Sequence, residues 1–72
     1  MTNEEKIEML ENTLELDKGS LKPEMKLKDI PEYDSMAKLT LIVMMDDELG
    51  KKLTGEDIQS FNIVQDVLDF MD

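Results

Sequence analysis

Ser35 is the residue in this chain best placed to do chemistry. It lies in Asp34-Ser35-Met36, between a proline-marked stretch and the start of a long apolar run. That position predicts a hydroxyl at the first turn of a helix, beside a carboxylate. A helix N-terminus carries unpaired N–H groups and a partial positive charge, so a phosphate ester on Ser35 would be stabilised there. The plainer alternative is that Asp34 or Ser35 only caps the helix. The other two serines, Ser20 and Ser60, fall in a loop and in a short third element. Neither combines a helix start, a preceding carboxylate and an adjacent apolar residue.

Composition removes most catalytic alternatives. The 72 residues contain no cysteine and no histidine. There is therefore no disulfide framework, no thiol nucleophile and no imidazole to move protons near neutral pH. Arginine is absent too, and with it the bidentate clamp for phosphate or carboxylate. A carboxylate dyad could still be assembled, but a chain this short offers little volume for a pocket. The expectation is a protein that is not an enzyme. As for metals, Asp46-Asp47-Glu48 and the following residues match a calcium loop poorly, because Gly50 and Lys51 take its fifth and sixth positions. No metal site is expected.

Eight lysines stand against 18 carboxylates, a formal net charge of −10. Nucleic acid and anionic membrane surfaces are poor partners for such a chain, whereas proteins with basic patches suit it. The acids Asp46, Asp47 and Glu48 are either a solvated face or a docking surface for lysines and arginines of a partner. No apolar run approaches membrane-spanning length, and the polar opening residues do not resemble a leader peptide. These features predict a soluble, cytoplasmic protein.

The elements that must position Ser35 follow from periodicity and caps. Thr2 and Glu5 form a capping-box pattern, and Ile7, Leu10 and Leu14 follow at helical spacing. Asp17-Lys18-Gly19-Ser20 is the expected end of that helix, with Gly19 left-handed. Residues 20–34 hold Pro23 and Pro31 and show no helical stripe, yet scatter Leu21, Met25, Leu27 and Ile30. A loop pinned across the helices is expected there. A second helix is predicted from Ser35 to Leu49, with Leu39, Ile42, Val43 and Met45 as its apolar face and Gly50 as its stop. Thr54 and Asp57 cap a short third helix carrying Ile58 and Phe61. The last helix is expected from Asn62, with Gln65 as capping partner and Val64, Val67, Leu68 and Met71 facing inward. The predicted fold is all-α, one domain over residues 1–72: a small irregular four-helix bundle with three longer helices, one short one, and a long loop between the first two.

Taken together, these residues resemble the acyl carrier protein family, which has Asp-Ser-Leu at the start of its second helix. Asp34-Ser35-Met36 stands in that place here. Leu39, Leu41-Ile42-Val43, Asp46-Asp47-Glu48 and Leu49-Gly50 continue the pattern. Thr54-Gly55-Glu56-Asp57 and Asn62-Ile63-Val64-Gln65 are similar to the family's later helices. The resemblance implies a 4′-phosphopantetheine arm covalently attached to Ser35, holding acyl groups as thioesters for fatty acid biosynthesis or a specialised acyl pathway. It implies a phosphopantetheinyl transferase (a holo-acyl carrier protein synthase) and acyl-processing enzymes as partners, with the protein itself a monomer. Docking is expected through Asp34, Met36, Asp46, Asp47 and Glu48. An acyl pocket is expected among Ile42, Met45, Ile58, Phe61, Val64 and Leu68. The chain departs from the family at Tyr33, where a small residue is usual, and at Met36. Ala37 and Thr40, with Lys38 between them, stand where many fatty-acid carriers place docking acids. A peptidyl or aminoacyl carrier, or an acidic helical adaptor with no prosthetic group, are the alternatives.

Overall fold

A computed structural model describes all residues from Met1 to Asp72. Most of its helices start where a side chain can satisfy the free N–H groups of the first turn. In α1, Asn3–Thr13, Thr2 Oγ1 accepts the Glu5 N–H at 3.2 Å and Glu5 Oε1 accepts the Thr2 N–H at 2.8 Å. In α2, Ser35–Leu49, the Asp34 carboxylate accepts the Ala37 N–H at 2.9 Å. In α3, Gly55–Ser60, Thr54 and Asp57 exchange the same pair of bonds as Thr2 and Glu5. The fourth helix, α4, spans Val64–Phe70. With no strand, this is the small irregular four-helix bundle expected, with α1 packed on both α2 and α4, but α4 at 7 residues is nearly as short as α3 at 6, so two helices are long and two short. No helix is long and apolar enough to cross a membrane.

Two boundaries differ from expectation. The first helix stops at Thr13, a turn before Asp17-Gly19, and the left-handed residue that ends it is Glu15, at φ +59°. The Leu16 N–H reaches the Glu11 carbonyl at 2.8 Å and the Glu15 N–H reaches Asn12 at 3.3 Å, the bond pair of a Schellman terminus. Gly19, at φ +85°, serves a separate later turn. The last helix starts at Val64, not Asn62, because the chain at Asn62 and Ile63 is extended and bonded to the long loop. The Asn62 carbonyl accepts the Leu27 N–H at 3.0 Å, and Lys26 and Ile63 form an isolated antiparallel bridge. The cap comes from Asp66, not Gln65. Asp66 Oδ2 accepts the N–H groups of Asn62 at 2.8 Å and Ile63 at 3.1 Å. Those two bonds hold its carboxyl below the usual range.

The loop between α1 and α2 is pinned, as its scattered apolar residues predict. Leu21, Leu27 and Ile30 are buried, and Leu27–Asp29 forms a 3₁₀ turn. Pro23 and Met25 accept backbone N–H groups from Gln65 and Val64. A buried carboxylate, Glu11, anchors the other end by accepting the N–H groups of Gly19 at 2.8 Å and Leu21 at 3.1 Å. Below the loop, Leu41, Met45, Val64, Val67 and Leu68 are the most deeply buried side chains. Each stabilises the fold by about 1.5–3 kcal/mol relative to exposure.

The face that α2 turns to this core also differs. Ala37, Leu41, Met44 and Met45 are buried, Ile42 is half-buried, and Leu39 and Val43 point outward at 59% and 58% exposure. The sequence assigns Leu39 and Val43 inward because apolar residues ring this helix, so periodicity gives almost no preferred direction. Packing against α1 selects the face.

Candidate functional site

The start of α2 is built by the loop that delivers it. Asp34 is extended, at φ −108° and ψ −169°, and its carboxylate folds over the first turn onto Ala37. Capping is therefore Asp34's role. Ser35 is the first helical residue, is exposed, and its hydroxyl makes no hydrogen bond within the protein. The other two serines are tied down: Ser20 Oγ donates to the Asp17 carbonyl and Ser60 Oγ to the Asp57 carbonyl. Of the three hydroxyls, Ser35's alone is both presented at a helix start and free of internal partners.

Around Ser35 the helix surface is apolar and then acidic. Met36 is 71% exposed, and with Leu39 and Val43 it forms a stripe at i, i+3 and i+7. Asp46, Asp47 and Glu48 are exposed beyond it, with no ion pair to any lysine. Sequence reasoning finds Met36 and the acids but misses Leu39 and Val43 on this surface. The missed signal was the ring of apolar residues: α2 has more of them than one core-facing side can bury. Ala37, one of the positions where the resemblance implies docking acids, is buried, so it is no part of this surface. Thr40 is exposed, and its hydroxyl donates to the Met36 carbonyl at 2.9 Å.

Two clefts reach the start of α2. One, about 480 Å³, lies between the long loop and α3 and is lined by Tyr33, Lys38, Lys26, Lys28, Ile58 and Phe61 among others. The Lys38 ammonium sits 5.5 Å from the centre of the Tyr33 ring, within range of a cation–π contact. Burial raises the Tyr33 phenol above its usual pKa. The other cleft, about 370 Å³, is lined by Glu15, Glu32, Asp34, Met36 and neighbours. The residues expected to form an acyl pocket are divided. Met45, Val64 and Leu68 are in the core, Ile58 and Phe61 edge the first cleft, and Ile42 edges a third groove with Val43 and Leu53.

Two curated proteins are similar to the chain over most of its length. It is 33% identical over 57 residues to the acyl carrier protein of Micrococcus luteus, covering 79% of this chain and 70% of that one. It is 32% identical over 56 residues to the acyl carrier protein of Myxococcus xanthus, covering 78% and 71%. No family model matches the chain, and no solved structure matches it.

Proposed function

Since this chain belongs to the acyl carrier protein family, we propose that it carries acyl groups on a 4′-phosphopantetheine arm attached to Ser35. The observation that supports this reading most is the division of labour at α2. Asp34 caps the helix, which leaves the Ser35 hydroxyl exposed and uncommitted. The residues fit the group: the phosphodiester would sit at the N-terminus of a 15-residue helix, where the dipole favours negative charge. When attached, the arm supplies a terminal thiol on which acyl groups are held as thioesters.

The chain's own part is to present, not to catalyse. Ser35 Oγ is the nucleophile toward the diphosphate of coenzyme A, held by a phosphopantetheinyl transferase. A bond forms from Oγ to the pantetheine-side phosphorus, and the bond from that phosphorus to adenosine 3′,5′-bisphosphate breaks. The hydroxyl proton passes to a base of the transferase, because this chain has no histidine to take it. Acyl-processing enzymes with basic patches would dock on Asp34, Asp46, Asp47 and Glu48 and cover Met36, Leu39 and Val43. The chain would act as a single carrier domain in the cytoplasm, in fatty acid biosynthesis or a specialised acyl pathway.

Incubation with coenzyme A, magnesium and a phosphopantetheinyl transferase tests this by intact mass. The wild type should gain one phosphopantetheinyl group, mapped by peptide mass to Ser35, and Ser35→Ala should gain none. A wild type that gains no mass, or a Ser35→Ala variant modified elsewhere, would overturn the assignment.

A further inference from the structure

Carboxylates outnumber lysines 18 to 8 in this protein, yet three of the eight lysines line one cleft beside the proposed attachment site. Lys26, Lys28 and Lys38 border it, and no aspartate or glutamate does. None of the three pairs with a carboxylate; the ion pairs in the structure use Lys6 and Lys18 instead. In a chain of net charge −10, this is a local reversal of sign. The amides of Gln59 and Asn62 add neutral donors to the same wall.

One further group there lacks a partner. Tyr33 lines the cleft, and its hydroxyl oxygen is buried with no hydrogen-bond partner in the protein. The rest of the wall is apolar, from Leu27, Ile58, Phe61 and Ile63. At about 480 Å³ the space is in the range of small-molecule sites. The cleft on the other side of α2 has the opposite character, with Glu15, Glu32 and Asp34 and no lysine. An anionic guest entering from the start of α2 is repelled on one side and attracted on the other.

From this arrangement we propose that the lysine-lined cleft receives acyl cargo that ends in a carboxylate, its methylene stem on Ile58 and Phe61 and its charged tip among Lys26, Lys28 and Lys38. The proposal rests on Ser35 being the attachment site. Tyr33 and Lys38 lie two residues before and three after it, at the mouth through which the arm would return.

The test uses the full chain, loaded by a phosphopantetheinyl transferase with coenzyme A analogues bearing amide-linked acyl groups. One carries glutaryl, and the other 5-methylhexanoyl, of the same shape without the charge. The glutaryl form should shift the NMR signals of the Lys26, Lys28 and Lys38 side chains and of the Tyr33 ring. It should also show contacts from its methylenes to Ile58 and Phe61. The 5-methylhexanoyl form should leave the lysine signals in place, and high salt or the variant Lys26→Gln/Lys28→Gln/Lys38→Gln should abolish the glutaryl response at Tyr33, Ile58 and Phe61. Equal shifts with both cargoes, or none with glutaryl on a protein whose mass proves loading at Ser35, would overturn this inference alone. If neither analogue nor coenzyme A itself loads at Ser35, the carrier reading falls and this inference with it.

Discussion

Asp34 and Ser35 are neighbours with separable roles, because only one carboxylate or hydroxyl is needed to close the first turn of α2. Asp34 makes that bond to Ala37. Asp34→Ala should therefore cost about 1 kcal/mol of stability, as cap removals typically do. Ser35→Ala removes an exposed hydroxyl with no internal partner, so its unfolding free energy should match the wild type within about 0.5 kcal/mol. Paired urea titrations of the two variants check this. If Ser35→Ala proves the more damaging of the two, Ser35 caps the helix and its hydroxyl is not free. Other polar residues show the same local logic. Glu11 is buried at 2% exposure because two loop N–H groups need an acceptor there, and buried Lys6 pairs with the Asp72 carboxylate.

Among the elements, α1 has the least expected terminus. Its left-handed residue is a glutamate, although glycine fits that conformation without a Cβ clash. A non-glycine residue held there costs about 1–2 kcal/mol. Glu15→Gly should thus raise stability, by about 0.5–1 kcal/mol once the greater freedom of glycine in the unfolded chain is set against the relieved strain. Thermal and urea midpoints should both move up. A fall in either would show that the Glu15 side chain contributes more than its backbone strain removes. The early stop matters beyond α1. It lets the chain turn back at Leu16, so that Leu21 reaches the core and the long loop lies across the bundle toward the start of α2.

On the scale of the whole molecule, charge and exposed apolar area are sorted around α2. The stripe of Met36, Leu39 and Val43 lies between the hydroxyl of Ser35 and the acids Asp46 to Glu48. On the proposed docking reading, such a surface would separate steering from holding: charge would set the encounter rate, and buried apolar contacts the residence time. Leu39→Ser should accelerate dissociation from a partner enzyme several-fold while leaving association nearly unchanged. Thr40→Glu, which adds a carboxylate on the exposed side near Ser35, should speed association with a basic-patched fatty-acid synthase component at low salt. That gain should disappear at high salt through screening. Ala37→Asp is not an equivalent change, because Ala37 is buried and a charge there would destabilise the helix itself. Stopped-flow association and dissociation across a salt series reads both effects. A Thr40→Glu rate no faster at low salt, or a Leu39→Ser variant with unaltered dissociation, would remove α2 from the docking surface.

The sequence determined what depends on near neighbours. Capping pairs such as Thr2 with Glu5 and Thr54 with Asp57 are three residues apart, so their bonds form wherever the helix forms. The bounds of α2 follow from Asp34 and Gly50 in the same way, and the missing His, Cys and Arg narrow the chemistry without any fold at all. The pinned loop was legible because apolar residues between prolines must find cover. Tertiary structure decided whatever depends on contacts distant along the chain. Leu39 and Val43 face outward only because α1 packs on the other side of a helix that is apolar all round. The last helix begins at Val64 because Asn62 is bonded to Leu27, 35 positions earlier. Glu15 is left-handed because the chain must turn there to bring Leu21 inward. The cleft joins Lys26 and Lys28 to Lys38 and Phe61 across three separate segments. No local pattern encodes that meeting; it is fixed when the loop, α2 and α3 bury their apolar residues in one core.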